Sequence, residues 1–90
     1  MRKIFKYNVL MLQSTSMPKE AEILHVGCQG TDIFIWALVD PSWPDVPRRF
    51  IVYGTGHDIY EPDLSLMTHI GTCFMGDTLV WHVFELKETA

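Results

Sequence analysis

Apolar residues in this chain come in short runs that alternate with polar ones, and turn-forming residues close each run before it reaches helical length. The first run, KIFKYNVLML, sets Phe5, Tyr7, Val9 and Met11 on one side and Ile4, Lys6, Asn8 and Leu10 on the other, the two-residue period of a strand. AEILHVGCQ follows Pro18, which cannot donate to a ladder, and closes at QGTD, where Gly30 suits the positive φ of a hairpin turn. IFIWALV is apolar on both sides, which predicts a central strand covered on both faces. DPSWPDVP, with its three prolines, predicts an ordered loop that carries Trp43. RRFIVYG and THIGTCFM resume the sheet, GD makes a tight turn, and TLVWHVFEL returns from it. Only SMPKEAE and EPDLSLM leave room for a helical turn, and KETA is expected to fray. Residues 1–90 therefore predict a single all-β domain. Its expected form is a small antiparallel sandwich or barrel of about six strands joined mainly by hairpins.

Composition narrows the picture in two ways. At 48% hydrophobic and 12% aromatic, 90 residues can build a core without a metal or disulfide staple. A net charge of -4 supplies no global field for nucleic acid, and the basic clusters Arg2, Lys3, Lys6 and Arg48, Arg49 are each large enough to seat one anion at most. The basic start MRKIFKYN reads as a strand because Lys6 and Asn8 interrupt its apolar run, so neither secretion nor a membrane span is expected and the localisation is cytoplasmic. Cys28 and Cys73 stand alone in strand-like sequence and read as reduced, buried thiols.

The stretch YGTGHDIYEPD, Tyr53 to Asp63, looks least like scaffolding. A phosphate-binding glycine loop needs a helix after it, and here IYEPD follows. What remains is a turn whose Gly54 and Gly56 amides face a ligand, or a turn that is purely structural. His57, Asp58, Glu61 and Asp63 carry ligand atoms but match no calcium or zinc spacing, and His25, His69 and His82 fall in separate strands, so no metal and no cofactor is expected. HVGC and HIGTC each set a histidine before a cysteine, yet neither cysteine opens a helix that would lower its pKa, and no catalytic residue is assigned. The protein reads as a non-enzyme.

Aromatic residues say more. Trp36, Trp43, Trp81, Tyr53, Tyr60, Phe34, Phe50 and Phe84 exceed the needs of a core this size, so some are expected on a binding surface. Along RRFIVYG, Arg49, Ile51 and Tyr53 share one face while Arg48, Phe50 and Val52 share the other. An arginine beside an aromatic ring suits either a phosphate with a stacked base or a protein-interface anchor. The candidate binding residues are Trp43, Arg48, Arg49, Tyr53, Gly54, Gly56, His57, Asp58, Tyr60 and Glu61.

IWALVDP, YGTGH, IGT and HVFE, in that order after FKY and MPKEAEIL, resemble a family of small uncharacterised bacteriophage proteins over almost the whole chain. The family has no assigned catalytic residues to carry over. The resemblance implies a phage accessory protein made in the host cytoplasm. The expected activity is to bind and block a host protein, a component of antiviral defence. Its site would be a broad patch including Trp43, Tyr60 and the acids Asp45, Asp58, Glu61 and Asp63. The alternative is a homo-oligomeric sponge for a nucleotide second messenger, with Arg48 or Arg49 on phosphate, Gly54 and Gly56 amides as donors and Tyr53 or Trp36 for stacking.

Overall fold

The computed structural model describes residues 1–9, 14–60 and 63–87. Within them lie seven strands: β1 (Lys3–Asn8), β2 (Ser14–Pro18), β3 (Glu22–Gln29), β4 (Asp32–Val39), β5 (Asp45–Gly54), β6 (Met67–Met75) and β7 (Leu79–Leu86). A single 3₁₀ turn, Asp63–Leu66, is the only helical element among the described residues and falls in EPDLSLM. The strands form two antiparallel sheets, β1-β4-β3 and β2-β5-β7-β6, so the all-β fold is a sandwich. Hairpins make the β3–β4 and β6–β7 connections, whereas the others change sheets or skip a strand. Leu10, Met11 and Leu12, assigned to the first strand from sequence, lie outside the described residues.

Alternation explains the core. In β4, Ile33, Ile35, Ala37 and Val39 point inward and are buried, and Phe34, Trp36 and Leu38 point outward and are half-buried. The strand is central, as its apolar composition suggested, but only one face is covered by a second layer. On the outer face its rings are shielded by neighbours instead: His25 lies 5.6 Å from Trp36, and Lys6 Nζ sits 4.5 Å above Phe34. Facing β4 across the core are Met17, Phe50, Val52, Cys73 and Val83. The sheets come closest where β3 crosses β6. A Cβ on Gly71 would lie 2.7 Å from Val26 Cβ, so that crossing requires glycine. Beside it, Cys28 Sγ and Cys73 Sγ are 2.8 Å apart, and both thiols are free. Sequence spacing gave no sign of this meeting across the two sheets.

Two departures from expectation share one cause. SMPKEAE does not coil: Ser14–Pro18 is an edge strand that buries Met17 completely, and the turn after it passes through Glu20 at φ 65° with Ala21 N donating to Pro18 O. Its partner is the first half of β5, so DVP, expected in a loop, is strand. Pro47 is tolerated because of where its missing donor faces. Lys19 N donates to Pro44 O on the β2 side, and Thr55 N donates to Val80 O on the β7 side. Alternation between those points turns the backbone of Pro47 toward β7, whose pairing with β5 ends at Phe50↔Glu85. Proline thus breaks no ladder bond among the described residues.

Candidate functional site

The inner and outer faces of the four-stranded sheet assign different work to neighbouring residues. Arg48 faces inward. Its Nε and Nη2 each donate to a Glu85 carboxylate oxygen at 2.6 Å, and Nη1 donates to Ala21 O at 2.6 Å. This two-pronged pair fastens β5 to β7 and to the start of β3, and it leaves Arg48 little capacity for a ligand. Arg49, next along, faces outward and is exposed.

On that outer face, side chains from β5, β7 and β6 form a continuous set. Tyr53 packs edge-on to Phe84 at 5.9 Å, and Phe84 packs edge-on to His69 at 5.2 Å. A hydrogen-bond chain runs beside the rings: Thr55 Oγ1 to His82 Nε2 at 2.7 Å, His82 Nδ1 to Thr72 Oγ1 at 3.0 Å, and Thr72 Oγ1 to His69 Nε2 at 3.0 Å. The register places the pairs directly, with Tyr53 opposite His82 and Thr72 opposite the same histidine on the other side. Phe74, one step beyond Thr72 on the same face, is 71% exposed. A bulge between His69 and Gly71 turns His69 onto this face while Gly71 keeps its place under Val26.

The turn after β5 is internally occupied. His57 N donates to Gly54 O, and Gly54 N donates to His57 Nδ1, both at 3.1 Å. That second bond assigns the proton of the neutral ring to Nε2. The imidazole folds back over Gly54, where a Cβ would lie 2.8 Å from its Cε1, and packs edge-on to Trp81 at 6.3 Å. His57 therefore caps the strand, and the Gly54 amide is spent inside the turn. Gly56 takes φ 88°, and Asp58 and Tyr60 are exposed. Glu61 lies outside the described residues. Trp81 Nε1 is buried with no hydrogen-bond partner among the described residues, and Trp81 borders a cavity of about 260 Å³ at this end of the sandwich.

Trp43 is at the other end of β5. The Asp40–Trp43 turn is closed by Ser42 Oγ and N donating to Asp40 Oδ1 and by Trp43 N donating to Asp40 O. The Ser42 hydroxyl, its amide and the nearby N-terminal ammonium hold the Asp40 carboxyl below its ordinary range. Trp43 and Arg2 line a cavity of about 230 Å³ there. The candidate residues thus divide: Tyr53, Gly54, Gly56, His57, Asp58 and Tyr60 gather at one end of β5, Trp43 lies at the other, and Arg48 is internal. His69, Thr72, Phe74 and His82 were missed. For Thr72, Phe74 and His82 the signal available in sequence was alternation with the buried residues Cys73 and Val83, whereas His69 reaches this face only through the bulge.

Among the described residues no group of three or more His, Cys, Asp or Glu is placed to hold a metal ion, and no helix is long and apolar enough to cross a membrane. Neither a curated protein nor a solved structure matches the chain. A family model described as Domain of unknown function (DUF7352) matches residues 1–90, and the chain belongs to that family.

Proposed function

We propose that the protein is a non-enzymatic binding module that covers the surface of another protein with the outer face of its four-stranded sheet. The observation that carries this reading is the connected set Tyr53, Phe84, His69, Thr72 and His82, with Phe74 exposed beside it. Rings already held by neighbours and hydrogen bonds lose little freedom on docking, and their mixture of apolar edges and polar nitrogens matches the composition of interface anchors. The bacteriophage resemblance supports a host defence component as the partner, met in the host cytoplasm.

The test is complex formation with host protein, followed by size-exclusion chromatography of the purified pair. Phe74→Glu puts charge on the exposed face with little cost to folding and is expected to abolish the complex. Trp43→Ala, at the opposite end of β5, is expected to retain it. The reverse pattern would move the interface to the Asp40–Trp43 end and reject the sheet face.

A further inference from the structure

A second surface of different chemistry lies where β5 outruns β7. Among the described residues the pairing ends at Phe50↔Glu85, and none of them pairs with the Asp45–Arg49 segment on that side. The notch opens into a cavity of about 520 Å³. Val46, Pro47 and Leu86 supply apolar lining, and Lys19, Arg49 and Lys87 stand around it. Arg48 and Glu85 also border it, but they neutralise each other in their bidentate pair. Three cations are therefore left over, with no ion pair among the described residues. They come from separate parts of the chain: the β2–β3 turn, β5, and the residue after β7. Four of the chain's 7 lysines and arginines border this one cavity in a protein whose net charge is -4. The local field is opposite in sign to that of the whole molecule.

We infer that this cavity binds an organic phosphate, with the phosphate groups on Arg49, Lys19 and Lys87 and an uncharged organic body against Val46, Pro47 and Leu86. The volume falls within the range of small-molecule pockets, several positive charges suit a polyanion better than a monocarboxylate, and arginine adds planar two-point donation to phosphate oxygens. Pro47 contributes by withholding an amide, which weakens the pairing of an incoming strand at this edge and favours a small ligand there. The site touches the outer face through Arg49 but uses none of Tyr53, His69, Thr72, Phe74, His82 or Phe84.

The experiment is an amide NMR titration of the purified full chain, first with inorganic pyrophosphate and then with ADP. Saturable shifts are expected at Lys19, Val46, Arg48, Arg49, Thr68, Leu86 and Lys87, with ADP bound roughly tenfold more tightly because its organic body covers apolar lining. Arg49→Gln with Lys87→Gln, both exposed positions, should weaken both ligands by roughly a hundredfold at unchanged melting temperature. Lys19→Gln alone should weaken them by roughly fivefold. Shifts that do not saturate, or equal affinity in the double variant, would reduce the cations to guards of an open sheet edge. Equal affinity for pyrophosphate and ADP would overturn the assignment of an organic ligand.

Discussion

Arg48 and Arg49 are adjacent, chemically identical and on opposite faces of the same sheet, and their surroundings make them different residues. The inner face consumes its polar groups: Arg48 meets Glu85 twice and Ala21 O once, and the Gly54 amide at the far end of β5 meets His57. The outer face and its open edge leave theirs accessible: Arg49 is exposed, and the His69–Thr72–His82 chain runs along the surface. Between the two arginines, what differs is whether the guanidinium's bonding capacity is already filled.

The most severe way to test that contrast is to remove each arginine. Arg48→Ala leaves Glu85, a side chain only 21% exposed, without its partner, and leaves Ala21 O without a donor. Because the pair is not fully buried, the loss should fall below that of a deeply buried ion pair, at about 2 kcal/mol. Arg49→Ala should cost under about 0.5 kcal/mol. Urea denaturation of the two variants measures the difference. Equal losses would mean that the inner pair is not the fastening it is taken to be.

A second contrast lies between the tight β3–β6 crossing and the open β5 edge. Gly71→Ala drives a methyl into Val26 and should destabilise by about 1–3 kcal/mol. Val26→Ala alone opens a cavity and costs a similar amount, about 1–3 kcal/mol. Together they should cost less than their sum, since losing the valine methyls relieves the new methyl's contact with Cγ2 while the contact with Cβ remains. Additive losses would show that the sheets do not meet at this point.

Comparison of these regions also shows how much the sequence disclosed. Alternation was enough to find β3, β4, β6 and β7 and to sort Arg48 from Arg49, because a strand's period is a local property. It did not find β2: STSMP has one large apolar residue, Met17, and a terminal proline, and its strand character comes from pairing with β5. The same pairing converts Asp45–Pro47 from loop to strand. Pairing joins segments about thirty residues apart, and no window of the sequence contains both. The His69–Thr72–His82 chain was hidden for the same reason. It depends on the β6–β7 register and on a bulge that alternation alone does not announce. The stretch Tyr53 to Asp63 was legible as unusual, but its histidine is a cap.

That cap yields a smaller effect. His57→Ala exposes the Gly54 amide and removes the ring from Trp81, at an expected cost of about 1 kcal/mol. Asp58→Ala, one residue on and exposed, should be neutral within about 0.5 kcal/mol. Thermal unfolding of both variants separates a structural turn from a ligand loop. A neutral His57→Ala would return the ring to the list of residues free for binding.

The smallest effect at neutral pH concerns the protonation of the two thiols that meet at the β3–β6 crossing. Burial, then the contact with Cys28, pushes the Cys73 thiol from 9.0 up to about 12. The folded state thus holds a proton that the unfolded state gives up at lower pH. The sign follows: this contribution to stability is fully present below about pH 9 and is lost progressively as pH rises toward 12. Replacing Cys73 with alanine should therefore flatten the alkaline limb of the stability profile, even though it lowers stability throughout by opening a small cavity. Alkylation gives an independent reading, because the thiolate is the reacting form. With iodoacetamide at pH 8, Cys73 should be modified only at the rate at which the native protein opens, and denaturant should accelerate its labelling far more than that of an exposed thiol peptide. Rapid labelling of Cys73 in the native protein would mean that the β3–β6 crossing is not closed, and the contrast between a sealed interior and an available outer face would fail at the point where the two sheets are closest.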